Sequence, residues 1–358
     1  MVGRTLALLL ARERLRIGLV APALSVTAGT PDVRAYALNF KSKHLLDSLR
    51  CWPAPEHATA VLHMQVKGDA GGEVNFDAAD HQAPALAWIV DVPVLEAQLA
   101  EAVRFQPRIE LLDAPQPAAL TVVCEGRASS TRAEFGVDFD VAPYPQQAIA
   151  ARLACEKPHG QTARQWFFRN EILAFLPLGG PQGNSVAIVW SVSPERAQEL
   201  LAASAEDFCR QLGAASQGNL GQLTLSSERA AWPLQLARAD RWVGTTAGKA
   251  WALAGDAAHN VHPLTGQGLN LGLADVAELA EVIRERDDWR GVDDARLLRR
   301  YERSRKADVL AMGTATDGLQ LLFSQNSTLW EVLRNRGMNG FERSGRLKQW
   351  MARQAMGL

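Results

Sequence analysis

Residues 255–273 read GDAAHNVHPLTGQGLNLGL, and no other segment of the chain carries as many structural signals. The apolar run WALA at 251–254 precedes it and predicts a buried strand that ends at Gly255. A glycine there lets the backbone approach a ligand closely. Asp256 then follows at the carboxyl end of the strand, where α/β sheets bind their ligands. A helix is predicted to begin near Gly266, directly after the connecting loop.

The start of this helix has the properties of an anion site. Its first residues read GQGLN at 266–270. Free backbone N–H groups and the positive end of the helix dipole point outward there. Such an end favours negative charge, while a carboxylate at 256 can accept hydrogen bonds from sugar-like hydroxyl groups. A lone GxG would indicate only a turn, but the unbroken order of strand, Gly-Asp step, proline and helix predicts a nucleotide site.

The rest of the chain places this site in a larger plan. Residues 4–13 predict a helix and 15–20 a strand, which is the second half of a βαβ unit. From about residue 147, alternating apolar positions and glycine-rich turns predict a mainly antiparallel sheet followed by two short helices. From Asp293 the chain is predicted to be nearly all helical. The order predicts a nucleotide-binding domain interrupted by a sheet that covers the substrate.

Composition excludes several classes of protein. The 358 residues are 47% hydrophobic and 22% charged with a net charge of -1, as in a soluble globular protein that does not bind nucleic acid. The four cysteines form no CxxC pair and are expected to be reduced, mostly buried thiols. The apolar run at 6–10 is too short to span a bilayer and lacks a cleavage site. We expect a cytoplasmic protein with at most peripheral membrane contact.

On these residues the chain resembles the ubiquinone-biosynthesis hydroxylases, which are FAD-dependent aromatic-ring monooxygenases. The stretch 255–273 is similar to the second FAD motif of that family. Segment 32–39 resembles its first substrate-side loop, segment 88–91 the entry to its third FAD-domain helix, and segment 125–132 its DG motif. The resemblance extends over nearly the whole chain.

The resemblance implies an α/β fold in which an FAD-binding, Rossmann-like domain of glutathione-reductase type is interrupted by an antiparallel-sheet substrate domain, with C-terminal helices. The implied bounds are 1–50, 86–140 and 240–305 for the FAD-binding domain, 51–85 and 141–239 for the substrate domain, and 306–358 for the C-terminal helices.

The resemblance also implies FAD as the cofactor and NAD(P)H as a transient reductant. Asp256 would bind the ribityl chain, and residues 263–270 would wrap the flavin ring and pyrophosphate. Arg34 would lie near the flavin, unless it is an ordinary solvated loop arginine. No side chain is assigned as catalytic, because the cofactor carries the chemistry. The predicted cofactor-binding residues are Gly3, Arg34, Gly255, Asp256, Pro263, Gly266, Gln267, Gly268, Leu269 and Asn270.

Two positions depart from the family pattern. Glu125 replaces the aspartate of the DG motif, which leaves open its role in the NAD(P)H or flavin environment. Residues 20–22 carry no carboxylate where the family holds the adenosine ribose. One charged hydrogen bond contributes about 1.5–3 kcal/mol, so we expect weaker FAD binding and not its abolition.

The N-terminus departs more strongly. A dinucleotide fingerprint consists of a strand, then GxGxxG, then a helix. Here Gly3 corresponds to the third glycine, which permits close helix–strand packing, and the first strand and first two glycines have no counterpart. We therefore expect an N-terminally truncated member that folds poorly or holds FAD weakly. The alternative is a genuine short form.

The predicted function is hydroxylation of the aromatic ring of a ubiquinone precursor, using NAD(P)H and O2. The implied partners are a prenylated or small phenolic substrate and other quinone-biosynthesis enzymes. One alternative is a hydroxylase of another small phenol. The other is a flavin-free scaffold member of a quinone-biosynthesis complex.

Two histidines and two aromatic segments each allow two interpretations. His259 and His262 could form an acid–base pair or bind a metal, but isolated loop or core histidines are the preferred interpretation because no third ligand is in sight. The aromatic segments 165–168 and 175–177 either line an apolar substrate pocket or belong to the core of the sheet.

Overall fold

The computed structural model describes residues 1–21, 32–68, 71–168, 171–260, 268–324, 338 and 340–357. Its helices are α1 (Val2–Arg12), α2 (Phe40–Ser48), α3 (Val92–Arg104), α4 (Ser130–Glu134), α5 (Pro194–Ala202), α6 (Ala205–Ala215), α7 (Gly268–Arg284), α8 (Ala295–Ser324) and α9 (Arg346–Met356). Its strands are β1 (Ile17–Val20), β2 (Ala35–Leu38), β3 (Ala58–Val61), β4 (His63–Lys67), β5 (Glu73–Asp77), β6 (Ala87–Asp91), β7 (Ile109–Leu112), β8 (Leu120–Val123), β9 (Phe139–Cys155), β10 (Thr162–Phe167), β11 (Ile172–Leu178), β12 (Ser185–Val192), β13 (Leu223–Leu225), β14 (Ala230–Ala239), β15 (Val243–Thr246), β16 (Lys249–Leu253) and β17 (His259–Asn260).

Parallel pairing defines the nucleotide-binding part. Strand β1 pairs in parallel with β7, and β8 pairs in parallel with β16, which also has the antiparallel neighbour β15. The buried side of α1 carries Leu6 and Leu10 into one apolar core with Leu253 of β16 and Leu279 of α7. The α/β class expected from the sequence is confirmed, and these contacts bring the end of β16 against α1 and α7.

A second, larger sheet carries most of the remaining strands. Its order is β17-β14-β9-β12-β11-β10-β4-β5, with β13 pairing onto β9. The pairings are antiparallel except between β10 and β4, so the predicted mainly antiparallel sheet is confirmed. A third sheet has three antiparallel strands in the order β2-β6-β3, all from the first 91 residues.

The two faces of the large sheet differ in side-chain size. On one face, large aromatic residues pack under α5 and α6, among them Trp166, Phe175 and Trp190 against Phe208 and Leu212. We call this the helix-covered face. Of the two interpretations of the aromatic segments, the core of the sheet is therefore confirmed for Trp166 and Phe175. The opposite face, which we call the open face, packs through Leu176 and Leu178 toward Ile89 of β6.

Two long strands extend beyond the alternating pattern that was read from the sequence. β9 begins at Phe139 and not near 147, because its first part pairs only with β14 and presents exposed residues that break the apolar alternation. Proline at 143 and 145 is compatible with this position, since prolines in sheets are found at edges and bulges. The prediction also missed β14. Within the described ranges, no helix is both long enough and apolar enough to cross a membrane.

Candidate functional site

Two glycines allow the turn after β16 to pack closely against α1 and α7. Gly255 has φ +64°, in the left-handed region, and it opens a 3-10 turn that ends at Ala257. A β-carbon on Gly255 would lie 3.3 Å from the side chain of Val2, and one on Gly272 would lie 2.9 Å from it. The same position on Gly272 would lie only 3.3 Å from the Cα of Gly255. Any larger residue at 272 would therefore push α7 away from the turn.

Gly3 occupies a similarly close contact. It lies in α1, and a β-carbon there would lie 3.2 Å from the Cβ of Cys124, just after the end of β8. This separation is tighter than an ordinary van der Waals contact, so the glycine allows the helix to lie close to the strand end. The geometry agrees with the packing role that the sequence suggested for Gly3.

Asp256 lies half-buried inside the turn, between the ends of β16 and β17. Its carboxylate accepts a long hydrogen bond of 3.4 Å from Asn260 Nδ2. Burial raises the pKa of Asp256, and the neighbouring charges of His259 and Arg127 offset part of that effect. Two carboxylate oxygens offer about four acceptor positions, so this group retains capacity for hydroxyl donors on a ligand.

The described start of α7 has a half-buried position and a buried one. Around Gly268, no described atom outside its own helix and its chain neighbours lies within 4 Å of the place where a β-carbon would stand. Leu269, in contrast, is buried in the core. The remaining predicted residues of the loop, Pro263, Gly266 and Gln267, lie outside the described residues, as does His262.

Asn270 ties α7 to the segment around α2. Its Oδ1 accepts hydrogen bonds from Asn39 N at 3.0 Å and from Ser42 Oγ at 2.7 Å, and its Nδ2 donates to Ala37 O at 2.7 Å. The side chain is buried and its acceptor and donor are both engaged. Asn270 therefore positions the start of α7, and its role in cofactor binding stays a prediction.

Arg34 is held by an acidic neighbour in its own loop. Its Nε donates to both carboxylate oxygens of Asp32, at 2.9 and 3.0 Å, and its Nη2 donates at 2.6 Å. The Asp32 hydrogen bonds raise the pKa of Arg34. Tyr36 interacts electrostatically with both Arg34 and Asp256, and burial raises the pKa of its hydroxyl. Arg34 is thus partly fixed by Asp32, while its side chain remains 42% exposed.

Glu125 contacts the start of α4. Its carboxylate accepts hydrogen bonds from Ser129 Oγ at 2.7 Å and from Thr131 N at 3.2 Å, and it contacts the Thr131 hydroxyl as well. These donors hold the pKa of Glu125 below its ordinary value, although burial alone would raise it. The extra methylene relative to aspartate is therefore accommodated by a local cap.

Arg132 joins this segment to the Asp256 turn, although the sequence analysis did not single it out within segment 125–132. Its guanidinium is buried, donates from Nη1 to Ala257 O at 3.1 Å and from Nη2 to Arg127 O at 2.9 Å, and lies over the ring of Phe139. The segment that resembles the DG motif thus touches the far end of the turn.

His259 is a buried core histidine, as the preferred interpretation expected. Its Nε2 lies 2.6 Å from Asp275 Oδ2, and its ring stacks on Trp242 with 4.8 Å between centroids. Asp275 also contacts Arg305 of α8. Sequence reasoning missed both partners; the available signal was a carboxylate at a position of α7 that is otherwise apolar.

A cavity of about 300 Å³ lies on the open face of the large sheet, and none of the predicted cofactor residues is among those that line it. Its lining includes Ile89, Asp91, Arg152, Leu178 and Ser185. The turn at Asp256 fits a nucleotide better than this cavity does, because the turn places a carboxylate with free acceptor positions at the end of a parallel strand.

Comparison with known proteins agrees with this geometry. The family model described as "FAD binding domain" matches residues 116–315. The 3-demethoxyubiquinol 3-hydroxylase of Escherichia coli (strain K12) is 30% identical, with 100% of this chain and 96% of that protein covered. Ubiquinone hydroxylase UbiL of Rhodospirillum rubrum is also 30% identical, with 100% of this chain and 87% of that protein covered.

A solved structure shows the same fold. The crystal structure of pqsL, a probable FAD-dependent monooxygenase from Pseudomonas aeruginosa, superposes with a TM-score of 0.74 at 21% identity, covering 95% of this chain and 96% of that chain. The match to the family model and the full-length relatives lead to one conclusion. The chain belongs to the ubiquinone-biosynthesis hydroxylase family of FAD-dependent aromatic-ring monooxygenases.

Proposed function

We propose that this chain binds FAD at the Asp256 turn and hydroxylates the aromatic ring of a ubiquinone precursor, with NAD(P)H as the electron donor and O2 as the second substrate. The observation that carries the proposal is the half-buried Asp256 carboxylate at the end of a parallel strand, in a turn that Asp275 of α7 holds through Gly255 N. Ligands of open α/β sheets bind at such strand ends.

The residues at the turn fit a flavin nucleotide. Asp256 would accept hydrogen bonds from ribityl hydroxyls, and the N–H groups near Gly268 would face negative charge. Gly3 and Gly255 keep α1 and the turn close to the strand ends, and Arg34 would supply a cation. When bound, the flavin supplies the activation of O2 and the transfer of one oxygen atom; the chain orients the ring and excludes water.

The open face of the large sheet has room for the aromatic substrate. Ala150, Val189 and Ala174 stand opposite one another on adjacent strands, so their side chains share this face. Val189 and Ala174 remain half-exposed while their neighbours along each strand are buried. Small side chains leave room for a ring, whereas the aromatic residues of the same strands are under α5 and α6. We propose that this row is the substrate wall.

The wall lies near the loop of Arg34. Two residues along β9 from Ala150, Arg152 projects from the same face and donates to Asp91 at 2.8 and 3.0 Å and to Val33 O at 3.4 Å. The cavity of about 300 Å³ is lined by Arg152 and continues this face. That volume is at the lower end of ligand pockets, which hold roughly 300–1,000 Å³.

The substrate class is the finer part of the proposal. The two relatives are named for hydroxylation of ubiquinone precursors, which supports a prenylated phenolic ring over a small soluble phenol. Other quinone-biosynthesis enzymes are the proposed partners, and a peripheral contact with the membrane is proposed because such substrates dissolve in lipid. The two-domain division retains the bounds predicted from the sequence.

Purified protein reconstituted with FAD tests the function. We expect O2-dependent NAD(P)H oxidation that rises when a demethoxyubiquinol is added and yields a hydroxylated ring by mass spectrometry. If only small phenols stimulate NAD(P)H oxidation, the substrate is a small phenol and not a ubiquinone precursor. A protein that takes up no flavin but binds other quinone-biosynthesis enzymes would be a scaffold, contrary to the proposal. Quinone profiling after gene deletion then identifies the ring position from the intermediate that accumulates.

A substitution on the wall tests the substrate site separately. Ala174→Phe fills the space on the open face, so we expect the KM for the aromatic substrate to rise at least tenfold while flavin occupancy is unchanged. Ala214→Phe, on the exposed side of α6, is the matched control. Equal KM values in both variants would place the substrate elsewhere.

A further inference from the structure

Three buried ionisable side chains meet behind the Asp256 turn. Asp275 of α7 is 0% exposed, His259 2% and Arg305 of α8 5%. Asp275 Oδ2 accepts hydrogen bonds from Gly255 N at 2.9 Å and from His259 Nε2 at 2.6 Å. Asp275 Oδ1 accepts one from Arg305 Nε at 2.9 Å. One carboxylate thus joins the turn, α7 and α8.

The buried carboxylate is ionised because its partners compensate for burial. Burial alone would raise the pKa of Asp275, but the charge and hydrogen bond of His259, the charge of Arg305 and the hydrogen bond from Gly255 N hold it below its ordinary value. An isolated buried charge would be costly, whereas a paired and hydrogen-bonded one is tolerated. Arg305 therefore makes the charge of Asp275 acceptable in the core.

The geometry of these bonds acts on Asp256. Gly255 precedes Asp256 directly and His259 follows it by three residues, and both donate to the same oxygen of Asp275. Trp242 stacks on the other side of the His259 ring and limits its movement. The two ends of the turn are therefore fixed relative to α7, and the direction of the Asp256 carboxylate is fixed with them.

We propose that Asp275 is a positioning residue for the flavin: it holds the Gly255–His259 segment so that Asp256 faces the ribityl chain, and Arg305 connects this site to α8. The inference rests on the proposed FAD site. Neither Asp275 nor Arg305 needs to touch the cofactor. Their effect is on flavin affinity, which can be measured without turnover.

Two double variants separate positioning from general stability. In Asp275→Asn/Arg305→Gln, the amide oxygen at 275 can still accept from Gly255 and His259, while its NH2 group donates to the glutamine. In Asp275→Leu/Arg305→Met, an apolar pair of similar size replaces the ion pair, which is often neutral or stabilising. Only the first retains the acceptor for the turn.

The measurements are the melting temperature of the apoprotein and the Kd for FAD from flavin fluorescence quenching. We expect the Asn/Gln pair to melt near the wild type. The Leu/Met pair should melt lower, because the buried N–H groups of Gly255 and His259 lose their acceptor, so its Kd is measured well below its melting temperature. The Asn/Gln pair should bind FAD within about threefold of wild type, whereas the Leu/Met pair should bind at least tenfold more weakly, about 1.4 kcal/mol per factor of ten. The single variant Asp275→Asn should lose both stability and affinity, because its NH2 group faces the guanidinium donors of Arg305 where a carboxylate oxygen accepted from Nε.

If the Leu/Met pair fails to fold, His259 provides the same comparison. In His259→Gln the side-chain amide can still donate to Asp275, and in His259→Leu it cannot, so at least a tenfold difference in FAD Kd is expected between them. Equal FAD affinities within either pair of variants would overturn this inference and leave the proposed function standing. A wild-type protein that binds no FAD would overturn the proposed function together with it.

Discussion

At the scale of single residues, Asp256 makes flavin binding depend on pH. Burial raises the pKa of its carboxyl above the ordinary value of about 3.9. Hydroxyl donors on FAD favour the ionised form, so protonation must oppose binding. We expect FAD affinity to fall as the pH drops through this raised pKa, beginning at a higher pH than an ordinary aspartate would give. Equilibrium titrations of FAD between pH 4 and 8 would measure this.

Substitution separates Asp256 from other groups that titrate in this range. Asp256→Asn should bind FAD about 10- to 100-fold more weakly at neutral pH, the equivalent of a charged hydrogen bond of about 1.5–3 kcal/mol, and should lose the pH dependence. Asp287→Asn, an exposed surface position, is the control. A pH dependence that persists unchanged in Asp256→Asn would assign it to another residue.

Part of the site could be predicted because its residues are contiguous. The turn at Gly255–Asp256 follows from a local motif that reads directly as strand, turn and helix. Asp275 and Arg305 could not be predicted, since they lie 20 residues from Gly255 and a further 30 residues along the chain, and only packing of α7 against α8 brings them together. A polar residue in an apolar helix indicates burial but does not name its partner.

At the scale of elements, Gly179 sets the approach of β11 to a neighbouring segment. A β-carbon on Gly179 would lie 1.9 Å from the backbone oxygen of Glu56, which cannot move aside like a side chain. We expect Gly179→Ala to lower the free energy of unfolding by about 1–3 kcal/mol or more, as overpacking does. Urea unfolding followed by circular dichroism measures it.

Gly213→Ala is the matched control for this prediction. Gly213 lies inside α6 with no atom within 4 Å of a β-carbon position, so alanine should stabilise the protein by about 0.8–1 kcal/mol through helix propensity. Opposite signs for the two glycines are expected. A neutral Gly179→Ala would mean that the end of β11 can shift away from residue 56 at little cost.

The elements themselves were predictable to the extent that their pattern was local. The hairpin of β4 and β5, in which Gly68 N donates to Gly72 O at 2.7 Å, was predictable because the glycine-rich stretch 68–72 joins two short apolar runs. The first part of β9 and the whole of β14 were not, because exposed residues interrupt the apolar alternation in both. Pairing between segments about ninety residues apart leaves no periodic signal in either one.

At the scale of the whole molecule, Arg152 connects the large sheet to the nucleotide-binding part. It donates two hydrogen bonds to Asp91 at the start of α3, and the two side chains are 23% and 19% exposed. A double-mutant cycle with Arg152→Met and Asp91→Asn should give a coupling free energy of about 1.5–3 kcal/mol in urea unfolding.

An exposed ion pair provides the comparison for this cycle. Arg210 and Asp207 on α6 are 76% and 52% exposed, and such pairs typically couple by about 0.2–1 kcal/mol. A coupling between Arg152 and Asp91 no larger than that of the surface pair would show that their contact does not hold the two parts together.

The reactivity of the cysteine thiols shows whether the whole protein is folded. All four cysteines are free, and burial raises the pKa of Cys124 to about 12 and that of Cys155 to about 11. Because the thiolate is the reactive form, we expect slow reaction with a disulfide reagent at pH 8 in the native state and rapid reaction of all four thiols in denaturant. Fast labelling of one native thiol would identify a region that opens.

The long strand β9 also limits how the gene can vary in length. Residues 148–150 pair with β12 on one side and with β14 on the other, so both registers are fixed at once. A single added codon there would turn Arg152 to the helix-covered face and leave its charge buried among apolar side chains. Insertions and deletions among related genes should therefore be absent from this stretch and concentrate in turns such as the one between β11 and β12.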